Sequence, residues 1–276
     1  MSIIKISTIK TPSTDSLSKY GLLIHGPGGV GKSSFAVSLN IWLESQSLPP
    51  AYYLDMDVQE GLIAHELYKS RPTDLDEYES LVAQLVKSKD FSYVVVDPIN
   101  ELYNFIFENE CRKAGVTHPV EKGDFSRMIW HKISTQLTSH IKDIMRSGKG
   151  FIATCKSITS EQSISGKQIT RWIPDFGGRA YSIIDSAFPL IGFMSFQTTY
   201  KVSPGKSSEK VTDLMESERR VILFNPSQYW SAKSRSSKLG REPIVLSENW
   251  QEDWEILTKY WNGETKQGGG VKEVKK

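Results

Sequence analysis

The chain has 276 residues, room for one large domain with appendages and a sizeable core but not for a second full catalytic domain. Its 34 lysines and arginines offset 32 aspartates and glutamates, so at a net charge of +2 no global field draws it to a polyanion and any basic surface must be local. Two cysteines, Cys111 and Cys155, lack CxxC spacing or a histidine-rich set, no apolar run approaches the roughly 18 residues of a membrane span, and the N-terminus has no signal-peptide cleavage pattern; a disulfide framework and an obvious zinc site are excluded, and a cytoplasmic protein without a membrane partner is expected.

Residues 3–9 alternate as a short strand, and TPSTDSLSK is a polar connector, so residues 1–19 form an N-terminal appendage to a core over 20–245. Leu22-Leu23-Ile24 predicts a buried strand. It runs into the glycine-rich turn Gly26, Pro27, Gly28, Gly29, Val30, Gly31, Lys32, Ser33 and Ser34, and then into a helix that ends near Ser45, before Pro49-Pro50. Several backbone N–H groups can converge on phosphate oxygens only where side chains are missing, so this G-x-x-x-x-G-K-S pattern predicts a nucleotide-phosphate cradle. Lys32 is placed to reach the β- and γ-phosphates and the Ser33 hydroxyl to ligate Mg²⁺, while the helix N-terminus adds partial positive charge.

AYYLDMD reads as a strand ending in carboxylates. Helical spacing covers 61–70 and 75–88, the latter with Thr73 or Asp74 as N-cap. FSYVVVDPIN is a strand buried on both faces, followed by a helix from Pro98 to about Ala114. The longest periodic segment places Phe125, Met128, Ile129, Ile133, Leu137, Ile141, Ile144 and Met145 on one core-facing stripe, with Asp124 as N-cap and Gly148 as stop. GFIATCKS and SAFPLIGFMSF are strands separated by the polar section 157–180, in which SISGKQITRWI suggests a hairpin about Gly166-Lys167. Residues 201–218 read as a charged, serine-rich loop, RRVILFNPS as a late strand, 246–263 as an amphipathic helix and 264–276 as a flexible basic tail. The strand–helix alternation predicts an α/β fold: a mostly parallel central sheet with helices on both faces and ligands at the strands' C-terminal edge.

Asp97, at the tip of Val94-Val95-Val96, is the carboxylate expected to hold the Mg²⁺ shell. No Asn-Lys-x-Asp base-reading motif follows, so ATP is favoured over GTP. Asp55, Asp57 and Glu60 are the candidates for orienting the attacking water. In FIATCK, Thr154 and Lys156 are placed to sense the γ-phosphate.

The succession GPGGVGKS, YLDMD, YVVVDPINEL and a strand ending near Lys156 resembles the RecA-like P-loop ATPase core from about Tyr20 to Arg235. Within it the likeness is to phage-type nucleotide-binding ATPases that act as minimal recombination or single-strand annealing proteins. The resemblance implies that Asp57 stands where the water-activating Glu of that family stands, and Pro98 where Ser is common. AKSRSSKLG resembles the Lys-x-Arg element of hexameric DnaB-type helicases, which implies that Lys233 and Arg235 touch a neighbouring subunit's γ-phosphate in a homo-oligomer with ATP sites at its interfaces.

RecA-like cores bind single-stranded DNA through loops after the later strands. By that resemblance the nucleic-acid residues are Lys167, Arg171, Trp172 and Arg179, cations with an aromatic for base stacking; the plain alternative is a surface hairpin with Trp172 tucked against the core. The expected function is an ATPase that binds single-stranded DNA in phage recombination, repair or replication, in the host cytoplasm if phage-encoded. The rival is a nucleotide-switched protein-partner or partition ATPase using 201–218 for docking; a small-molecule kinase lacks its arginine-rich lid.

Overall fold

The computed structural model describes residues 16–57, 62, 65–164, 166–176, 179–201, 214–240 and 242–264. The strand expected at 3–9, Glu60 and the tail from residue 265 onward lie outside them. In chain order the strands are β1 (Leu22–Gly26), β2 (Ala51–Asp55), β3 (Tyr68–Ser70), β4 (Tyr93–Asp97), β5 (Gly150–Ile164), β6 (Lys167–Pro174), β7 (Leu190–Lys201), β8 (Leu214–Leu223), β9 (Lys233–Ser234) and β10 (Ile244–Val245). The helices are α1 (Lys32–Ser45), α2 (Leu75–Leu85), α3 (Ile99–Ala114), α4 (Ser126–Arg146), α5 (Arg179–Ala187) and α6 (Asp253–Asn262).

These strands form one sheet in the order β10-β8-β7-β1-β5-β4-β2-β3, with β6 paired to β5 and β9 to β7. From β7 to β3 every neighbouring pair is parallel, while β6, β8, β9 and β10 run antiparallel to their partners. The central strands are continuous apolar runs because both faces are covered. Alternate residues divide between two cores: Leu22, Ile24, Tyr53, Val95 and Ile152 pack with α1 and α6, and Leu23, Leu54, Val94, Val96 and Ala153 with α2 to α5. On α4 the buried positions are Ile129, Ile133, Leu137, Ile141 and Ile144, a stripe in which each side chain contributes about 1.5–3 kcal/mol by leaving water.

Four expectations are corrected. The stripe of α4 runs out at its N-terminal end: Phe125 and Met128 are 68% and 59% exposed, and Phe125, not Asp124, stands at the N-cap after a 3₁₀ turn over Pro119–Phe125. Within 61–70 the structure has the edge strand β3, whose backbone bonds come from β2. Helix α2 ends at Leu85; Asp74 is its cap, accepting the Glu77 N–H at 2.9 Å. Residues 214–218 continue β8 against β7 and are not part of a loop.

The 246–263 segment is built into the core. Trp254 packs on Phe35 of α1 with ring centroids 5.5 Å apart, and its backbone N–H donates to Ser38 Oγ at 3.1 Å.

Candidate functional site

Register alone brings the chemistry to one edge. Gly26 lies opposite Lys156, and Asp55 opposite Asp97, so the turn after β1 and the tips of β2, β4 and the core part of β5 converge. They line a cleft of about 380 Å³ with Gly28, Gly29, Lys32, Ser33, Asp57 and Thr154 on its walls.

The glycines of the turn have separate reasons to be there. Gly29 and Gly31 hold φ of 77° and 94°, left-handed backbone that a side chain would strain. A Cβ on Gly26 would come 2.3 Å from the Met194 carbonyl oxygen of β7. Around Gly28 a Cβ would meet nothing within 4 Å, so there the missing side chain leaves open space in the cleft wall. Lys32 folds back onto the turn, donating to the Gly26 and Pro27 carbonyls at 2.9 and 2.8 Å. Burial lowers its pKa, and the Asp97 charge opposes the shift.

Asp97 is buried and accepts hydrogen bonds from the Thr154 and Ser33 hydroxyls. Burial nevertheless raises its pKa, and Asp55 adds to the rise, while the two hydroxyls and Lys32 pull it down. A buried carboxylate raised by desolvation, beside a serine hydroxyl and an open phosphate-sized cradle, is a hard oxygen donor set that fits Mg²⁺ carrying a triphosphate. Ser33 and Asp97 are the residues that would hold it. Among the water-orienting candidates, Asp55 is buried and bound to Arg71 at 2.6 Å, whereas Asp57 lines the cleft with Lys156 at 3.3 Å from its Oδ2.

Three supports of this site gave no sequence signal of their own. His25 ends the apolar run of β1, and its Nε2 lies 2.6 Å from the Ser231 carbonyl. A carbonyl only accepts, so Nε2 carries the proton and Nδ1 accepts from Ser157 Oγ at 2.8 Å. Burial, reinforced by the charges of Lys32 and Arg171, brings the ring's pKa down to about 4. Asn100 of α3 accepts from the Lys156 backbone N–H at 3.0 Å and donates to the Asp175 carbonyl, tying together the two feet of the β5–β6 hairpin. On the outer side of the turn, Arg220 Nη1 lies 3.2 Å from where a Cβ of Gly31 would stand. The guanidinium is held in place: Nη1 donates to Oδ2 of buried Asp253 at 2.7 Å, and Nη2 donates to its Oδ1 at 3.2 Å and to the Ser247 carbonyl at 2.7 Å. Burial pushes the Asp253 carboxyl up to about 6 against the pull of that guanidinium.

Other expected residues fall outside the cleft. Lys233 and Arg235 lie at the opposite end of the sheet, where β9 pairs with the first residues of β7; Lys233 binds Asp185, and Arg235 Nη2 reaches the Ser186 carbonyl at 3.4 Å. They are remote from their own phosphate turn. The hairpin forms with its turn at Gly166, and Lys167 is exposed at its tip. Trp172 is half-buried, stacked on Phe193 at 6.4 Å. Arg179 opens α5, and its side chain lies outside the described atoms.

A parallel sheet whose central strand feeds a phosphate turn, with a carboxylate two strands away across β5, defines a RecA-like P-loop ATPase. The chain belongs to the AAA domain family: the family model AAA_24 matches residues 18–236. Among solved structures the chain is similar to a KaiC-like protein of the hyperthermophilic archaeon Pyrococcus horikoshii OT3, at 13% identity and a TM-score of 0.47, with 84% of this chain and 87% of that chain covered. No curated protein matches it. Among the described residues no helix is long and apolar enough to cross a membrane.

Proposed function

We propose that the protein binds and hydrolyses ATP in this cleft and couples the nucleotide state to single-stranded DNA held beside the β5–β6 hairpin, in recombination, repair or replication of the phage type. The observation that carries the coupling is continuity: Thr154, Lys156 and Ser157 line the phosphate cleft, Asp175 lines it from the other foot, and the hairpin springs from between them. Mg²⁺, when bound, neutralises charge on the transferring phosphoryl group. Lys32 exchanges its two carbonyl partners for phosphate oxygens. Asp57 accepts a hydrogen bond from the attacking water and aims it at the γ-phosphate. Lys156, paired with Asp57 before the nucleotide arrives, follows the γ-phosphate and carries its presence into the hairpin.

The test is the ATPase rate with and without an oligonucleotide, at two salt concentrations. Stimulation that fades steeply as salt rises is the expected result, since backbone contacts release counterions. A rate indifferent to DNA would leave the second reading, a nucleotide-switched ATPase that engages a protein partner. The exposed Val120, Phe125 and Met128 around the start of α4 favour that one.

A further inference from the structure

Beyond the hairpin, on the β7–β8 side, lies a second cleft of about 380 Å³ whose walls are largely aromatic. Phe193 and Trp230 form its floor, stacked at 6.0 Å with only 10° between their planes, and Trp172 continues the stack beyond Phe193. Tyr229 stands at its rim, 52% exposed. The floor is fixed by backbone: the Trp172 N–H donates to the Tyr229 carbonyl and the Ser231 N–H to the Trp172 carbonyl, each at 2.8 Å. Trp230 Nε1 donates to the Asn225 carbonyl at 2.9 Å, which locks that ring.

The surroundings select a ligand. Among the described residues no carboxylate lines the cleft, whereas Ser195 and Gln197 offer polar groups at one end. Register places exposed Arg219 on the same sheet face as Phe193, Ser195 and Val221. Rigid, preordered rings beside an exposed guanidinium suit an unpaired nucleobase, which offers a π-face to the rings and a phosphate to Arg219.

We infer that this cleft is the base-stacking platform for single-stranded nucleic acid, with Tyr229 as the group that closes on the base and Arg219 serving a flanking phosphate. The inference rests on the DNA-binding reading above and moves the stacking role from Trp172, whose ring is used by Phe193, to aromatic side chains on β7 and after β8. The cleft shares Trp172 with the hairpin, so binding here would be felt at the phosphate site through Ser157 and His25.

The test uses the full chain with ATP and Mg²⁺ and a fluorescein-labelled oligothymidylate, read by anisotropy, beside an abasic strand of the same length. Tyr229→Ala should weaken oligothymidylate binding roughly 5- to 150-fold and leave the abasic strand unaffected, because it removes a ring and no charge. Tyr229→Phe should bind as the wild type does. Retained affinity for a fluorescent ATP analogue shows that the variants are folded. If the wild type binds oligothymidylate but Tyr229→Ala binds it equally well, or if that variant weakens the abasic strand as much, the platform is overturned and DNA binding stands. If the wild type binds neither strand even at low salt, the DNA-binding reading falls and the platform with it.

Discussion

Acid should loosen the strand that carries the phosphate turn, because His25 is built into it as a neutral ring. The folded-state pKa of about 4 lies below the ordinary value of 6.5, so the stability this residue contributes is whole above pH 6.5 and is lost as the pH falls towards 4. Between about pH 7.5 and pH 5 the unfolded chain takes up nearly a full proton that the folded chain refuses, a loss of about 2 kcal/mol. Every charged group named at the ring acts in this sense: Lys32 from the phosphate turn and Arg171 from the hairpin both disfavour a cation there. Urea unfolding of the wild type and of His25→Gln at the two pH values isolates the effect. Glutamine cannot titrate but can still donate to the Ser231 carbonyl. His140, likewise lowered by burial, is present in both proteins and cancels. The wild type should lose about 2 kcal/mol more than the variant on acidification; equal losses would mean that the ring accepts its proton in place, and that His25 does not hold the turn as a neutral link.

Gly26→Ala would drive a methyl to 2.3 Å from the Met194 carbonyl between two paired strands, lowering stability by about 1–3 kcal/mol in thermal melts. Gly28→Ala meets no protein atom and should melt like the wild type yet lose affinity in a fluorescent-ATP titration, because its methyl stands in the cleft. Asp57→Asn should keep ATP and lose about 10²–10⁴-fold in turnover; unchanged turnover would shift the role to Asp55 or Glu60. Arg235→Ala and Lys32→Ala should each be nearly inactive alone, with a finger worth about 10³–10⁵ in rate, and regain activity when mixed. A dead mixture in which mixed oligomers demonstrably form would make Lys233 and Arg235 a brace for α5 and nothing more.

What could be read from the chain was what is local. The phosphate turn announces itself because its backbone geometry forbids side chains, and β4 because burial on two faces leaves an uninterrupted run of valines. The α4 stripe is also local, but where it stops is not: Phe125 and Met128 keep the helical spacing yet stay exposed. Strand β3 and the first half of β8 lack an apolar alternation and gain their identity from a neighbour's backbone, which no pattern within residues 68–70 or 214–218 encodes. For the same reason Arg220 and Asp253, 33 positions apart, carry no mark of the pair they form. Tyr229 and Trp230 follow the late strand with no pattern of their own, since the stack they enter is assembled from three separate parts of the chain.

Strand β5 is 15 residues long, and only its first half belongs to the sheet core. From Lys156 at the cleft to Ile164 near the turn it extends about 26 Å at the usual rise per residue. A rigid arm of that length multiplies angle into distance: a tilt of about 5° at Lys156 displaces the far end by about 2 Å, the scale on which hydrogen bonds are made or lost. Asn100 sits at the fulcrum, fastening both feet to α3. On the proposed coupling, the gain or loss of a single phosphate needs no moving domain to be expressed at the hairpin's turn; the ratio of arm to pivot is set by where the strand leaves its neighbours.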